Sequence, residues 1–284
     1  MAGARSFQST ILALFGRPVA ENPTVVMIEA ALRAMGLDWR YVTLEVAPAD
    51  LADAVRGMRA MGFRGGNCTI PHKVAVVPLL DEISPAAQAI GAVNCIVRKG
   101  NTLIGENTDG KGFLQSVQAM TPVVGKKAVL LGAGGAARAI GVELLKAGAA
   151  AVTVVNRTKA RGEELTAVLN RVAPGKASFT PWQGDYSVPT GTHFVINATS
   201  IGLFPDIDVR LPLNVDTLHP GMLVCDVIPN PPRTRLVRDA EARGCRALDG
   251  LGMLVNQGVI GIRLWTGREP DPAVMRRALE EVFR

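Results

Sequence analysis

The chain has 284 residues, 48% of them apolar and 20% charged, with a formal net charge of +6. This length and composition are ordinary for a globular protein of one large or two medium domains. The basic residues are scattered rather than clustered, which does not indicate a nucleic-acid partner. No apolar run approaches the about 18 residues that span a membrane, and no leader sequence is recognisable. We therefore expect a cytoplasmic protein, monomeric or homodimeric, with small-molecule ligands.

The 4 cysteines and 3 histidines give no sign of a metal site or a disulfide framework. The cysteines lie far apart and form no C-x-x-C pair. They are Cys68, Cys95, Cys225 and Cys245. We interpret them as free buried thiols, and we expect no bound metal.

In the first third of the chain, apolar stretches of strand length alternate with stretches of helical periodicity. The predicted strands cover residues 11–15, 41–46 and 63–70, and the predicted helices cover residues 22–36 and 50–61. Asn22 and Pro23 open the first of these helices as N-cap and first helical residue. This alternation predicts a mainly parallel sheet covered by helices.

Lys73 follows the third predicted strand, which ends at Ile70 and is closed by Pro71. Parallel α/β folds bind ligands beyond the carboxyl ends of their strands, so this lysine is a candidate site residue. An ordinary exposed helix lysine is the alternative, and from this feature alone it is the better interpretation.

A hairpin is predicted next, with strands over residues 92–98 and 102–105. Its first strand carries Asn94, and its second strand runs into Asp109. Asp109 either contributes to a site or simply caps the helix predicted over residues 111–120. The local sequence does not separate these two interpretations.

The segment from Gly132 to Ala137 follows a short buried strand, residues 128–131, and fits the pattern G-x-G-x-x-A. Gly132 allows a tight turn, and Gly134 lets a pyrophosphate approach the backbone. Ala137 lets the next helix pack closely, so that its N-terminal N–H groups point at the phosphates. A strand-to-helix turn without a ligand is the alternative for the pattern alone. The next strand, residues 151–155, supplies the context of a dinucleotide-binding domain.

Arg157 and Arg161 follow that strand where the cofactor's ribose is recognised, roughly 20 residues past the glycines. An NAD site places Asp or Glu there, whereas this chain has Asn156, Arg157 and Thr158. Guanidinium groups bind a 2′-phosphate through paired donors, while a carboxylate would repel it. The sequence therefore predicts NADP rather than NAD, with a solvated helix face as the alternative.

Two later strands, predicted over residues 194–197 and 223–228, end in polar segments. Their carboxyl ends are expected at the same crevice as the glycine turn, because parallel strands share that edge. Two C-terminal helices, over residues 253–267 and 272–283, are predicted to cross back onto the first domain.

Seven motifs then stand in a fixed order along the chain. They are Gly65 with Asn67-Cys68-Thr69-Ile70-Pro71-His72-Lys73, Gly91-Ala92-Val93-Asn94, Gly105-Glu106-Asn107-Thr108-Asp109-Gly110, the Gly132 turn, Asn156-Arg157-Thr158, Asn197-Ala198-Thr199-Ser200 and Gly250-Leu251-Gly252-Met253-Leu254-Val255-Asn256-Gln257. Together they resemble the shikimate/quinate dehydrogenase family over essentially the full chain.

The resemblance implies an α/β protein in which an N-terminal, mainly parallel substrate domain precedes a Rossmann-type NADP domain. The implied limits are residues 1–112 for the substrate domain, 113–252 for the NADP domain and 253–284 for C-terminal helices that pack back on the substrate domain. The implied activity is NADP-dependent interconversion of a cyclic polyhydroxy acid and its keto form, shikimate and 3-dehydroshikimate or a close analogue such as quinate. A non-catalytic NADP(H)-binding regulatory or sensor protein on the same fold is the alternative.

The resemblance also implies roles for individual residues. Lys73 and Asp109 act on the reacting hydroxyl, which suits a lysine because alcohol oxidation removes a proton and ketone reduction returns it. The implied substrate-binding residues are Thr69, Asn94, Asp109, Gln257 and Asn22. The implied NADP-binding residues are Gly132, Ala133, Gly134, Gly135, Ala136, Asn156, Arg157, Thr158, Arg161, Ala198, Thr199, Ser200, Val227, Gly250 and Met253.

Two substrate contacts depart from the family pattern. Members usually carry Ser-x-Ser-Pro before the first helix, where this chain has Ala20-Glu21-Asn22-Pro23. Both serines are missing, and Glu21 would repel a substrate carboxylate if it faced the pocket. Pro229 stands where the family usually has a tyrosine. We therefore expect a working NADP dehydrogenase whose preferred substrate is not necessarily shikimate.

Overall fold

The computed structural model describes residues 8–283 and contains two six-stranded sheets. The strands of the first sheet are β1 (Thr10–Gly16), β2 (Trp39–Glu45), β3 (Gly65–Cys68), β4 (Glu82–Ile83), β5 (Cys95–Lys99) and β6 (Thr102–Glu106). They lie in the order β2-β1-β3-β5-β6-β4, and β5 alone runs antiparallel to the others. The prediction of a mainly parallel sheet is confirmed.

The helices of this half cover the sheet and close its connections. They are α1 (Thr24–Ala34), α2 (Leu51–Ala60), α3 (His72–Ala75), α4 (Pro85–Ile90) and α5 (Asp109–Gln118). Helix α1 begins at Thr24, whose N–H donates to Asn22 Oδ1 at 3.0 Å. The predicted strand over 92–98 begins only at Cys95, and Val93 directs its N–H out of the sheet, to the carbonyl of Lys73 in α3.

The second sheet is entirely parallel. Its strands are β7 (Lys127–Leu131), β8 (Ala151–Asn156), β9 (Ala177–Pro181), β11 (Phe194–Asn197), β13 (Leu223–Asp226) and β14 (Arg246–Leu248), while β10 (Tyr186–Ser187) and β12 (Leu213–Asn214) form a separate two-stranded ribbon. Its helices are α6 (Gly135–Lys146), α7 (Lys159–Val172) and α8 (Arg235–Ala242). The order β14-β13-β11-β7-β8-β9 is that of a Rossmann fold, whose ligand crevice opens between β7 and β11, where the order reverses.

Two C-terminal helices, α9 (Gly250–Thr266) and α10 (Pro272–Val282), return to the first sheet. Their apolar side chains, including Trp265 and Leu279, share a core with Leu12 of β1 and Met27 of α1. The limits predicted for the three regions stay a prediction. No helix within residues 8–283 has the length and apolar character needed to cross a bilayer.

Helix α5 lies in direct backbone contact with α6 of the second sheet and with the C-terminal helix α9. A Cβ atom at Gly110 would lie 2.5 Å from the carbonyl oxygen of Ala139 in α6, and one at Gly112 would lie 2.7 Å from the amide nitrogen of Gln257 in α9. Only glycine permits these approaches. They place Asp109, the first residue of α5, beside the helix that follows the glycine turn.

Candidate active site

Lys73 and Asp109 form an ion pair at the carboxyl edge of the first sheet. Lys73 lies in α3, shortly after β3, and Asp109 begins α5, shortly after β6. Lys73 Nζ donates to Asp109 Oδ2 at 2.6 Å, and the two side chains are 18% and 8% exposed. The N-terminus of α5 favours the negative charge of Asp109. The pair is therefore largely desolvated, with its lysine still accessible to a small ligand.

Val93 and Asn94 connect the two members of this pair to the sheet. Asn94 Nδ2 donates to Asp109 Oδ1 at 2.8 Å and to Thr108 Oγ1 at 2.9 Å. Its Oδ1 accepts from the Thr108 N–H at 2.7 Å. The preceding N–H, that of Val93, donates to the carbonyl of Lys73 at 2.7 Å. Residues 93 and 94 therefore hold the backbone of the lysine and the side chain of the aspartate.

Gln257 reaches the same cluster from α9, across 163 residues of chain. Its Oε1 lies 3.4 Å from Asn94 Nδ2 and 3.3 Å from Thr108 Oγ1. The residue is 5% exposed, so these buried amides and hydroxyls satisfy one another in the absence of a ligand. The structure thus brings Gln257 together with the residues predicted on the hairpin.

Thr69 and Asn22 lie at the same edge of the sheet but outside this hydrogen-bonded cluster. Thr69 follows β3, is half-buried and has its methyl group close to Gly16 at the end of β1. Asn22 lies in the connection from β1 to α1, where its Oδ1 is used by the Thr24 N–H. Its amide nitrogen remains for a ligand that enters beside β1.

No role was predicted from the sequence for four buried polar residues around the ion pair. They are Tyr41, Asn67, Asn107 and Thr108, and each is at most 5% exposed. Asn107 Nδ2 donates to the carbonyl of Ala92 at 2.9 Å, which anchors the residue before the hub formed by residues 93 and 94. Asn67, Asn107 and Thr108 stand inside the ordered motifs, and this position could have marked them as site residues. Tyr41 lies in an ordinary strand pattern, which gives no such indication.

The glycine turn between β7 and α6 lies against the ion pair. Gly132 has a φ of 107°, and a Cβ atom on it would lie 2.9 Å from the carbonyl oxygen of Ala198. Gly134 faces open space, with no atom within 4 Å of a Cβ built on it, while a Cβ on Gly135 would lie 3.3 Å from Lys73 Cδ. The turn therefore leaves room for a pyrophosphate at Gly134 and meets the lysine side chain one residue later. Ala133 is buried and Ala136 is half-buried in the same turn.

Arg157 and Arg161 are exposed beyond the end of β8, beside the glycine turn. The acidic residues of α7 pair with other cations, Glu163 with Lys159 and Glu164 with Arg138. Neither arginine forms an ion pair within residues 8–283, so their positive charge is uncompensated. Asn156 Nδ2 donates to the carbonyl of Thr158 at 2.8 Å, which shapes the turn that presents them. The site accordingly suits a ribose phosphate.

The opposite wall of the crevice is built by the ends of β11 and β13 and the start of α9. A Cβ on Gly250 would lie 2.3 Å from the carbonyl oxygen of Ile228, so α9 starts directly against this wall. The other predicted cofactor contacts here range from buried to exposed: Ala198 and Met253 are buried, Thr199 and Val227 are half-buried, and Ser200 is exposed.

A buried carboxylate, Asp226, ties these two strand ends together. It accepts from Asn197 Nδ2 at 3.1 Å, from the Ile228 N–H at 3.1 Å and from Thr234 Oγ1 at 2.8 Å. Burial nevertheless outweighs these donors and raises its pKa from 3.8 to about 6. The folded protein therefore holds a proton on this group at pH values where the unfolded chain has lost it.

Replacing Asp226 by Asn should change how stability depends on pH. Raising a carboxyl pKa from 3.8 to about 6 corresponds to about 3 kcal/mol of folding stability at low pH. Wild type loses this stabilisation as the pH rises from below 3.8 to above 6. The free energy of unfolding of Asp226→Asn relative to wild type should therefore increase by about 2 kcal/mol from about pH 4 to about pH 7, because the unfolded chain has already lost part of this proton at pH 4. Denaturant titrations of both proteins at both pH values measure this difference in unfolding free energy. Groups that are common to the two proteins contribute equally to each and cancel. A pH-independent difference would contradict the prediction.

Comparison with known proteins places the chain in one family. Family descriptions match in chain order: a shikimate dehydrogenase substrate binding domain over residues 14–96, shikimate / quinate 5-dehydrogenase over 115–181 and a shikimate 5′-dehydrogenase C-terminal domain over 250–280. Shikimate dehydrogenase (NADP(+)) of Moorella thermoacetica is 43% identical over 276 residues, which covers 96% of this chain and 93% of that protein.

Solved structures agree with this grouping. Ligand-free 5-ketofructose reductase of Gluconobacter sp. strain CHM43 is 51% identical, with a TM-score of 0.90 and coverage of 98% of this chain and 100% of that one. Shikimate 5-dehydrogenase of Thermus thermophilus, in complex with NADP(H) and shikimate, is 35% identical, with a TM-score of 0.86 and coverage of 96% and 99%. Fold and site define a two-domain, dinucleotide-dependent dehydrogenase. Within that class, the chain belongs to the shikimate dehydrogenase family.

Proposed function

We propose that the protein interconverts a secondary alcohol and a ketone on a small polyhydroxylated substrate, with NADP as its redox cofactor and Lys73 and Asp109 at the reacting oxygen. One observation carries the proposal: the Lys73–Asp109 ion pair, with its 2.6 Å hydrogen bond, lies directly against the glycine turn at Gly135. A proton-transfer group and a dinucleotide-binding turn thus share one crevice, as hydride transfer to a carbonyl requires.

The residues of the second sheet fit NADP. The open backbone at Gly134 and the N-terminus of α6 suit the pyrophosphate, and uncompensated Arg157 and Arg161 suit the 2′-phosphate. Thr199 lies against the glycine turn, with its methyl group 3.0 Å from a Cβ built on Gly132. When bound, NADP supplies or accepts the hydride at its nicotinamide ring.

The protein's own contribution is proton transfer and orientation. In the reducing direction, the ammonium group of Lys73 donates a proton to the carbonyl oxygen, and in the oxidising direction its amine removes the hydroxyl proton. Asp109 directs the lysine and accepts a hydrogen bond from the substrate. Asn94 and Gln257 change partners from one another to the neighbouring substrate hydroxyls, so that their buried polar atoms remain satisfied.

Two substrate types follow from the comparisons. The curated relatives are shikimate dehydrogenases, which supports shikimate and 3-dehydroshikimate or a close analogue such as quinate. The second candidate is 5-ketofructose, the compound after which the solved reductase with 51% identity is named. The segment before α1 favours this second candidate, because the usual two serines are absent and Glu21 is exposed there. An uncharged keto sugar needs no carboxylate site, whereas shikimate and quinate do.

A substrate panel followed by NADPH absorbance tests the activity and separates the candidates. We expect kcat/KM for 5-ketofructose reduction to exceed that for 3-dehydroshikimate. In the double variant Ala20→Ser/Asn22→Ser, two hydroxyls replace one amide donor and should raise kcat/KM for 3-dehydroshikimate about tenfold, the value of one additional hydrogen bond to a charged group. Exclusive turnover of shikimate would reject the keto-sugar candidate. Tight NADPH binding without turnover of any substrate would instead favour the regulatory or sensor alternative.

A further inference from the structure

A chain of buried hydrogen bonds runs from the edge of the first sheet towards the ion pair. Tyr41 of β2 is 2% exposed, and its hydroxyl donates to Asn67 Oδ1 at 2.7 Å. Asn67 of β3 is 5% exposed, and its Nδ2 donates to the backbone carbonyl of Asn94 at 2.9 Å. The side chain of Asn94 in turn donates to Asp109 Oδ1 at 2.8 Å. Tyr41 in β2, Asn67 in β3 and Asn94 just before β5 thus connect the edge of the sheet to Asp109.

The direction of each bond in this chain is determined by chemistry. The carbonyl of Asn94 can only accept, so Asn67 must present its amide nitrogen to it. Asn67 Oδ1 then faces Tyr41, whose hydroxyl has to donate. Burial raises the pKa of Tyr41 well above 10.0, so the hydroxyl keeps its proton. Within residues 8–283, Tyr41 is the one donor to this oxygen, and its loss would leave a buried acceptor without a partner.

Asn94 is the point where movement would reach both catalytic groups. Its neighbour Val93 holds the Lys73 carbonyl at 2.7 Å, and its own side chain holds Asp109. A shift of the 93–94 segment therefore changes the distance between Lys73 Nζ and the aspartate. Packing alone does not require the hydroxyl of Tyr41, because the ring already contacts Trp265, with centroids 6.3 Å apart, and a phenylalanine ring would fill the same space.

We propose that Tyr41 and Asn67 are positioning residues for the Lys73–Asp109 pair. They fix the placement of that pair through a hydrogen bond to the backbone carbonyl of Asn94. The inference rests on the proposed function of that pair in catalysis. Neither residue touches the reacting atoms. Their role is to fix the position of residues 93 and 94. The Lys73 ammonium and the Asp109 carboxylate then contact the substrate oxygen in the productive geometry.

Tyr41→Phe tests the proposal, with Tyr186→Phe as the matched control. Tyr186 is the other tyrosine of the chain and lies half-buried in β10, outside both sheets of the site. We expect Tyr41→Phe to lower kcat about tenfold, a loss typical of a sub-ångström to ångström misplacement, with NADP(H) affinity unchanged. Tyr186→Phe should leave kcat within about twofold of wild type.

Asn67→Asp gives a readout that a purely structural role would not produce. The introduced carboxyl group can donate to the Asn94 carbonyl only while it is protonated. The ratio of variant kcat to wild-type kcat should therefore rise as the pH falls, which is partial rescue at low pH. The titratable groups that face this position are Tyr41, Cys68 and Cys95, and burial raises the pKa of each, that of Cys68 to about 12. Lys73, Asp109 and Glu106 are present in both proteins, so the ratio of the two kcat values removes their contribution.

A crystal structure of Tyr41→Phe tests the same inference without any substrate. We expect the Lys73 Nζ to Asp109 Oδ2 distance to lengthen from 2.6 Å to beyond hydrogen-bond range, or the Asn94 carbonyl to lose its Asn67 partner. Unchanged geometry together with unchanged kcat would overturn the positioning role. If Lys73→Ala keeps its activity, the proposed function itself is wrong. If Lys73→Ala is inactive and Tyr41→Phe is fully active, only the positioning role is rejected.

Discussion

Lys73→Ala is expected to lower kcat about 1000-fold, the middle of the range for loss of a general acid–base group. The reason is that Lys73 Nζ, held at 2.6 Å from Asp109, is the proton donor and acceptor that we place at the substrate oxygen. The affinity for NADPH should stay within about twofold of wild type, because the glycine turn and the arginines remain intact. Steady-state kinetics and a fluorescence titration of the folded variant measure the two quantities.

Lys111→Ala is the control for this substitution. Lys111 lies in α5 two residues from Asp109, is half-buried and carries the same charge, so its removal reproduces the change in net charge near the site. We expect kcat of Lys111→Ala within about twofold of wild type. If Lys73→Ala lost NADPH affinity as strongly as it lost kcat, the lysine would be a cofactor contact rather than a proton-transfer group.

The double variant Arg157→Ala/Arg161→Ala should raise the KM for NADP about 100-fold, because two charge-assisted hydrogen-bonding groups are lost. The KM for NAD should change little, since NAD has no 2′-phosphate for these side chains to bind. The ratio of kcat/KM values for the two cofactors therefore reports the role of the arginines directly. Their attraction is electrostatic, so the wild-type preference for NADP should also weaken as ionic strength rises.

Arg171→Ala controls for loss of positive charge on the same helix. Arg171 is exposed in the last turn of α7, at the end of the helix away from the glycine turn. Its removal should leave the KM for NADP within about twofold. An equal rise in the KM for NAD and NADP in the double variant would assign the arginines to the shared part of the cofactor.

Much of the cofactor half followed from local sequence. The apolar run before Gly132, the spacing of the glycines and the strand that leads to Arg157 are contiguous features, and the structure shows β7, the turn, α6 and β8 in those places. Local patterns were less reliable where a backbone group bonds outside the sheet. The strand predicted from residue 92 begins only at Cys95, and Val93 donates its N–H to the carbonyl of Lys73 in α3.

The sequence by itself determined the order of elements, the mainly parallel sheets and the dinucleotide turn, because side-chain periodicity and glycine geometry act over a few neighbouring residues. It also singled out Lys73 and Asp109 as candidate site residues that follow the ends of predicted strands. Only the tertiary structure decided that Tyr41, Asn67 and Gln257 converge on Asn94, since hydrogen bonds between residues as far as 163 positions apart depend on strand order and helix packing. The short contacts of Gly110 with α6 and of Gly112 with α9 complete that arrangement, because they set how closely α5 approaches these two helices.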